Sequence, residues 1–199
     1  MANTYRDLPI LEFCTKARFA SWMGAQPKAS KGLWLKLAKK ASGIETVSQQ
    51  DAIETALCHG WIDGQLDKFD EAYWLVRFTP RKPRSKWSEV NRTKAMELIA
   101  NGHMKPAGLR EIERAKVDGR WNAAYAPQST AAVPRDLQAA LNRNKIAKHV
   151  FEKLDGKNRY AILHRVQDVK KAETRRSRIE KYVSMLSRGE TIYPRKAQP

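Results

Sequence analysis

The most concentrated chemistry of the sequence lies in residues 57–91, which hold three of its six tryptophans beside acidic, basic and amide side chains. Residues 60–64 read GWIDG and place Trp61 and Asp63 two positions apart between glycines. In an extended chain, residues i and i+2 point to the same face. Trp61 would then form one wall of a cleft and Asp63 its polar end. The pattern is equally consistent with a core Trp61 and an Asp63 that closes a turn through its own backbone.

Basic residues cluster where a predicted strand at residues 73–79 ends. Their spacing suits a grip on an anion or a phosphate group, and they are Arg77, Arg81, Lys82, Arg84 and Lys86. Trp87 would stack on a ring or base of the same ligand. The alternative interpretation is a solvated basic loop, which is the more common fate of a run of charge.

These patterns predict a ligand-binding site without a catalytic or metal-ligating residue. Its predicted members are Trp61, Asp63, Arg77, Arg81, Lys82, Trp87 and Asn91. Cys58 and His59 look like a nucleophile with its base, but neighbours on a helix point about 100° apart and cannot pair directly. The cysteines and histidines lack the spacing of a metal site, and no phosphate-binding loop or nucleophile elbow occurs. We therefore expect no metal and no cofactor.

The charge of the chain indicates the class of partner. The 38 Lys and Arg against 21 Asp and Glu give a net charge of +17, which favours an anionic small molecule, an acidic partner protein or weak, non-specific nucleic acid. No apolar run is long enough for a signal peptide or a transmembrane segment. Cys14 and Cys58 are interpreted as reduced core thiols. These observations predict a cytoplasmic protein.

Hydrophobic periodicity predicts an α+β fold for the first part of the chain. Alternation at residues 32–39 and 73–79 predicts strands of a small, mainly antiparallel sheet, with an edge strand at residues 10–13. Residues 62–69 are predicted as a turn-rich connection. Capping residues and apolar spacing predict helices that pack on the sheet, at residues 15–24, 48–60, 88–101 and 106–117.

The last third of the sequence is predicted to be helical, with short amphipathic segments at residues 134–141, 146–154, 162–166 and 179–186. The predicted organisation is an α+β domain with the candidate site at residues 1–120, a linker at 121–133, a helical region at 134–191 and a frayed tail at 192–199. The linker is predicted from its Gly, Pro, Ser and Ala content and weak periodicity.

Several motifs resemble those of a known family. They are ALCHGWIDG at residues 56–64, YWLVRFTPRKPRSKWSEVN at 73–91 and MKPAGL at 104–109, together with the helical AETRRSRIEKYVSML at 172–186. They are similar to the bacterial YdeI/OmpD-associated, bacteriocin-protection family over about residues 11–189. The resemblance implies a cytoplasmic bacterial protein linked to tolerance of bacteriocins or cationic antimicrobial peptides. It supplies no established reaction, cofactor or catalytic residue.

The leading hypothesis is a non-enzymatic stress or peptide-resistance protein that binds an anionic ligand or partner in a Trp/Asp/Arg cleft. A nucleic-acid-binding regulator is one alternative, because the last helix carries Arg175, Arg176 and Arg178. Those arginines also fit the ordinary exposed face of a packed helix, and we favour that interpretation. A further alternative is an enzyme with an unrecognised active site.

Overall fold

The α+β architecture predicted from the sequence is confirmed. The structure is a computed structural model that describes residues 3–27 and 29–194. Within that part of the chain, a five-stranded sheet and four α-helices precede Ala124, and four further α-helices follow Tyr125. The chain divides between these two residues into two compact units.

The sheet is antiparallel except for one parallel pair. Its strands are Thr4–Tyr5 (β1), Leu8–Leu11 (β2), Leu33–Ala38 (β3), Trp61–Lys68 (β4) and Tyr73–Pro80 (β5). They lie in the order β1-β2-β3-β5-β4, and β2 and β3 are the parallel pair. The central strand β3 pairs along its whole length with β5, from Leu33 opposite Phe78 to Ala38 opposite Tyr73.

Alternation along β3 gives the sheet two different faces. Leu33, Leu35 and Leu37 point to one face, are at most 2% exposed, and pack with the first two helices. Trp34 points to the other face, where it is buried with Leu8 and Leu75. Side chains of a strand alternate between faces, so the leucines cover one face of β3 and Trp34 covers part of the other.

Two sheet predictions were wrong in detail. Residues 62–69, predicted as a turn-rich connection, form most of β4, because pairing with β5 supplies hydrogen bonds that outweigh a poor strand composition. The turn signal at Gly64 marks an irregularity between Asp63 and Leu66, where the register shifts as in a β-bulge. The predicted edge strand at residues 10–13 is the inner strand β2, since β1 pairs outside it.

The helices of the first unit begin where their capping residues predict. They are Lys16–Gly24 (α1), Gln49–Cys58 (α2), Glu89–Ala100 (α3) and Pro106–Val117 (α4). The hydroxyls of Thr15, Ser48 and Ser88 each accept a hydrogen bond from the backbone N–H three residues later, which satisfies a donor that the helix itself leaves open. Proline starts α4, where its missing N–H costs nothing.

The end of α2 and the start of α4 approach each other through glycines. A Cβ on Gly108 would lie 2.5 Å from the Cys58 carbonyl oxygen and 2.7 Å from that of Leu57. Gly60 has a φ of +75°, and a Cβ there would lie 2.9 Å from the Ala107 carbonyl oxygen. These distances are far inside van der Waals contact, so only glycine fits at both positions. We call this contact the glycine junction.

The second unit is a group of helices around one core. They are Arg135–Arg143 (α5), Lys145–Glu152 (α6), Gly156–Gln167 (α7) and Ala172–Ser187 (α8). Leu137 and Leu141 of α5, Phe151 of α6, Ile162 of α7 and Leu186 of α8 are at most 3% exposed and share this core. Ile192 of the predicted tail also packs on the core, while residues 195–199 of that tail lie outside the described residues.

Arg175 joins three helices of the second unit. Its Nε and Nη2 atoms donate to the carboxylate of Asp136 at the start of α5, the latter at 3.0 Å, and its Nη1 donates to the Val166 carbonyl of α7 at 2.7 Å. This paired guanidinium–carboxylate geometry is the strongest form of ion pair. The Arg175 guanidinium lowers the pKa of the Asp136 carboxyl below its ordinary value, and the carboxylate raises the pKa of Arg175.

The cysteines occupy different environments. Both are free thiols, but only Cys58 is buried. The prediction of a core position was wrong for Cys14, which lies exposed in the bend between β2 and α1.

None of the described helices is both long and apolar enough to cross a membrane.

Gly108→Ala should lower the free energy of unfolding of the first unit by about 1–3 kcal/mol, because the added Cβ meets backbone that cannot move aside. Tryptophan fluorescence during urea unfolding measures this, since all six tryptophans lie between residues 22 and 121.

Gly64→Ala is the matched control. Its added Cβ would lie 3.6 Å from the Arg77 carbonyl oxygen, an ordinary contact. We expect this variant to be as stable as the wild type or more stable, by up to about 1 kcal/mol. Equal destabilisation by both changes would show that the glycine junction is not a special contact.

Asp136→Asn should destabilise the second unit by about 0.5–1 kcal/mol at neutral pH, as expected for a partly exposed ion pair. Because the folded pKa of Asp136 is lowered, its contribution is fully present above about pH 4 and is lost as the pH falls through the folded pKa. The stabilities of wild type and variant should therefore converge in acid. Urea unfolding followed through the amide NMR signals of α5 to α8 measures the difference.

Glu152→Gln, an exposed change on α6, is the control and should have little effect at neutral pH. A deficit of Asp136→Asn that stays constant into acid would contradict the assignment to the ion pair.

Candidate functional site

The predicted site residues lie on one hairpin and on the loop and helix that follow it. Trp61 and Asp63 are on β4, Arg77 is on β5, Arg81, Lys82 and Trp87 are in the connection to α3, and Asn91 is in the first turn of α3. The two ends of the hairpin meet, because the Arg81 N–H donates to the Gly60 carbonyl at 3.0 Å.

Trp61 is a core residue. It is 5% exposed and belongs to the cluster between the sheet and helices α1 and α2. Its ring meets that of Trp22 edge-on, with centroids 5.9 Å apart. An indole packed in this way stabilises the fold mainly through the apolar area that it buries. Trp61 therefore stabilises the hairpin as a core residue.

Asp63 and Arg77 point to opposite faces of the sheet. Asp63 stands opposite Phe78 in the register, and directly opposed residues share a face. Arg77 precedes Phe78 and therefore points the other way, to the face of Trp34, its partner in β3. Both side chains are partly exposed. The structure does not bring them together.

Arg81 and Trp87 are brought together. Arg81 is only 6% exposed, and its guanidinium carbon lies 3.7 Å from the centre of the Trp87 ring, the geometry of a cation–π contact. Its Nη1 donates to the Lys86 carbonyl at 3.1 Å. Trp87 in turn meets Trp121 edge-on at 4.8 Å, in a cluster separate from that of Trp61.

We call the segment from Arg81 to Lys86 the basic loop. Hydrogen bonds within the loop hold its backbone in place. The Lys82 N–H donates to the Ser85 hydroxyl at 2.9 Å, and the Ser85 N–H donates to the Lys82 carbonyl at 2.9 Å. Lys82, Arg84 and Lys86 are exposed. A fixed backbone that carries three exposed cations, with no acid in the segment, presents positive charge at defined positions.

Arg120 is part of this arrangement and was missed from the sequence. Its Nη1 donates to the Ser85 carbonyl at 2.6 Å, while its Nε contacts the Asp118 carboxylate. It lies 35 residues beyond the loop, in a segment without periodicity, so no local pattern could have indicated it. Asn91 contributes its backbone N–H, which donates to the Ser88 hydroxyl at 3.1 Å and fixes the start of α3.

Cys58 and His59 do not form a nucleophile and base. Burial raises the pKa of the Cys58 thiol, which disfavours the reactive thiolate. The Nδ1 atom of His59 lies 2.9 Å from the Thr55 carbonyl oxygen, one helical turn away. In the described part of the chain, no group of three His, Cys, Asp or Glu side chains is placed to hold a metal ion.

Two family models match the chain. Residues 11–111, just over half of it, match the family described as Domain of unknown function (DUF8412). Residues 130–189 match the family described as Bacteriocin-protection, YdeI or OmpD-Associated, which confirms the suspected resemblance for the helical region. No curated protein and no solved structure matches the chain.

The two matches divide the motifs quoted from the sequence. Those at residues 56–64, 73–91 and 104–109 fall within the first match, and the one at residues 172–186 falls within the second. The chain belongs to the family of Domain of unknown function (DUF8412), and its residues 130–189 match the bacteriocin-protection, YdeI or OmpD-associated family.

Proposed function

We propose that this protein protects bacteria against bacteriocins as a non-enzymatic binding protein of the cytoplasm. The observation that carries the proposal is the match of residues 130–189 to the bacteriocin-protection family.

We propose further that an anionic ligand or an acidic partner contacts the basic loop. Lys82, Arg84 and Lys86 are exposed on it, whereas Arg81 is buried against Trp87. Binding benefits when the recognition groups are held in place beforehand, because less side-chain and loop freedom is lost. Arg81 and Arg120 hold the backbone of this loop through the carbonyls of Lys86 and Ser85. In this proposal the buried predicted residues position the loop, and the exposed cations bind.

The double variant Lys82→Ala/Arg84→Ala should lose the tolerance that the wild-type chain confers on a bacteriocin-sensitive strain. Survival at increasing bacteriocin concentration measures this. The fold should be unaffected, because both side chains are exposed and changes at such positions usually alter stability by less than about 0.5 kcal/mol. Unfolding in urea checks it.

Arg143→Ala/Lys145→Ala is the matched control, since it removes the same residue types from exposed positions of the second unit. It should keep full tolerance. If the wild-type chain confers no tolerance, the proposed function is wrong. If both double variants lose tolerance equally, total charge matters and the basic loop does not.

Arg81→Ala tests the positioning role. It should lower the free energy of unfolding of the first unit by about 2 kcal/mol, because it removes a buried hydrogen bond and a cation–π contact. Tryptophan fluorescence measures the loss. Lys82→Ala is the control and should have the same free energy of unfolding as the wild type. An Arg81→Ala variant of unchanged stability would contradict the buried anchoring role.

A further inference from the structure

Two adjoining depressions lie along helix α7 in the second unit. Their volumes are about 470 Å³ and 320 Å³, and they share Gln128 and Tyr160 in their linings. Because they share these residues, we call the two depressions together the α7 groove. All of its lining residues lie between positions 125 and 193. The volumes fall in the range of small-molecule sites, which begins near ~300 Å³.

One wall of the α7 groove is aromatic. The ring centroid of His164 lies 5.1 Å from that of Tyr125 and 5.8 Å from that of Tyr160. The Tyr160 hydroxyl donates to the Ala126 carbonyl at 3.1 Å, which fixes this ring against the segment that carries Tyr125. All three rings are half-buried, so each is held in place and still presents a surface to a ligand.

Basic side chains also line the α7 groove. Lys157, Arg159 and Arg165 line it, and none of the lining residues is acidic. Tyr193 holds two of these cations: Lys157 Nζ lies 4.4 Å from the centre of its ring, and Arg165 Nη2 donates to its hydroxyl at 3.4 Å. Tyr193 therefore gives two of the groove cations a common contact.

Tyr193 is itself fixed by a buried polar side chain. Asn158 is 0% exposed. Its Oδ1 accepts from the Tyr193 N–H at 2.9 Å, and its Nδ2 donates to the Tyr193 carbonyl at 3.2 Å. Asp155, which precedes α7, accepts from the backbone N–H of Asn158 at 2.7 Å and from its Nδ2 at 3.2 Å. Asn158 thus docks residue 193 beside α7.

We propose that the α7 groove binds a nucleotide. Tyrosine and histidine rings are the surfaces on which bases stack, and lysine and arginine bind phosphate through charge-assisted hydrogen bonds. The base would lie against Tyr125 and Tyr160, and the phosphate would lie against Lys157 and Arg165. An inorganic anion or a lipid headgroup would use only the basic side chains, whereas a neutral aromatic molecule would use only the aromatic wall.

A free nucleotide and a nucleotide within a single strand share this chemistry, and titrations of the full-length chain followed by NMR separate them. The probes are adenosine 5′-monophosphate, adenosine, inorganic phosphate and a single-stranded adenosine tetranucleotide. The monophosphate should bind more tightly than adenosine or phosphate and shift the amide signals of α7. Tighter binding of the tetranucleotide would identify a strand as the source, and equal or weaker binding would identify a free nucleotide. A monophosphate that binds no more tightly than phosphate would overturn the proposal.

Two variants test which residues bind the phosphate and which bind the base. Lys157→Ala should weaken binding of the monophosphate by about tenfold, the size of one charge-assisted hydrogen bond, and leave adenosine binding unchanged. Tyr125→Leu should weaken both by roughly fivefold or more, as expected for a lost stacking surface.

Lys153→Ala is the control for Lys157→Ala, because it removes an exposed lysine at the end of α6 that does not line the groove. It should leave binding unchanged. Equal weakening by the two lysine variants would show a general attraction to the net charge of +17 and would contradict the site. Because the basic loop lies in the other unit, loss of bacteriocin tolerance and loss of nucleotide binding are independent results.

Discussion

The first unit is arranged around a point where backbone meets backbone with no side chain between. At the glycine junction, the end of α2 and the beginning of α4 approach so closely that a single Cβ would overlap a carbonyl oxygen. Gly60 also turns the chain from α2 into β4, and its carbonyl accepts the N–H of Arg81 at the end of β5. Two helices and two strands therefore take their relative positions from one contact. Packing at this density tolerates little change, because the backbone carbonyls that a Cβ would meet cannot move aside.

The glycine junction gives a physical account of two motifs that lie within the first family match. Residues 56–64 end α2 and start β4, and residues 104–109 start α4, so the motifs meet in space at Gly60 and Gly108. Lys105 adds a backbone hydrogen bond to the Cys58 carbonyl at 3.2 Å. Small residues at such positions reflect steric need. The motif at residues 73–91 differs, because it supplies both the central pairing of β5 and the exposed cations of the basic loop.

Local patterns were sufficient for the elements whose cause is local. Alternation predicted β3 and β5, and the hydroxyls of Thr15, Ser48 and Ser88 predicted the helix starts. The strand β4 was not predicted, because its extended form depends on pairing with β5.

The same distinction applies to the two proposed binding surfaces. The sequence placed Arg81 and Trp87 close together, but it did not show that both are buried. It also did not show that Trp121 packs on Trp87 and Arg120 bonds to the loop from far along the chain. The α7 groove also escaped prediction, since its tyrosines stand at positions 125, 160 and 193 and no spacing rule connects them.

The irregularity in β4 has a consequence for how the chain behaves in concentrated solution. This strand lies at one end of the sheet order, where open hydrogen-bonding groups invite a neighbouring chain to add a strand and start aggregation. Between Asp63 and Leu66 the regular spacing of those groups is interrupted. Asp67 and Lys68 follow immediately, and Asp67 is bonded to the hydroxyl of Tyr5 at 2.7 Å. An irregular, charged edge is a poor template for intermolecular β-pairing. The irregularity that made β4 difficult to predict from the sequence therefore also discourages self-association through this strand.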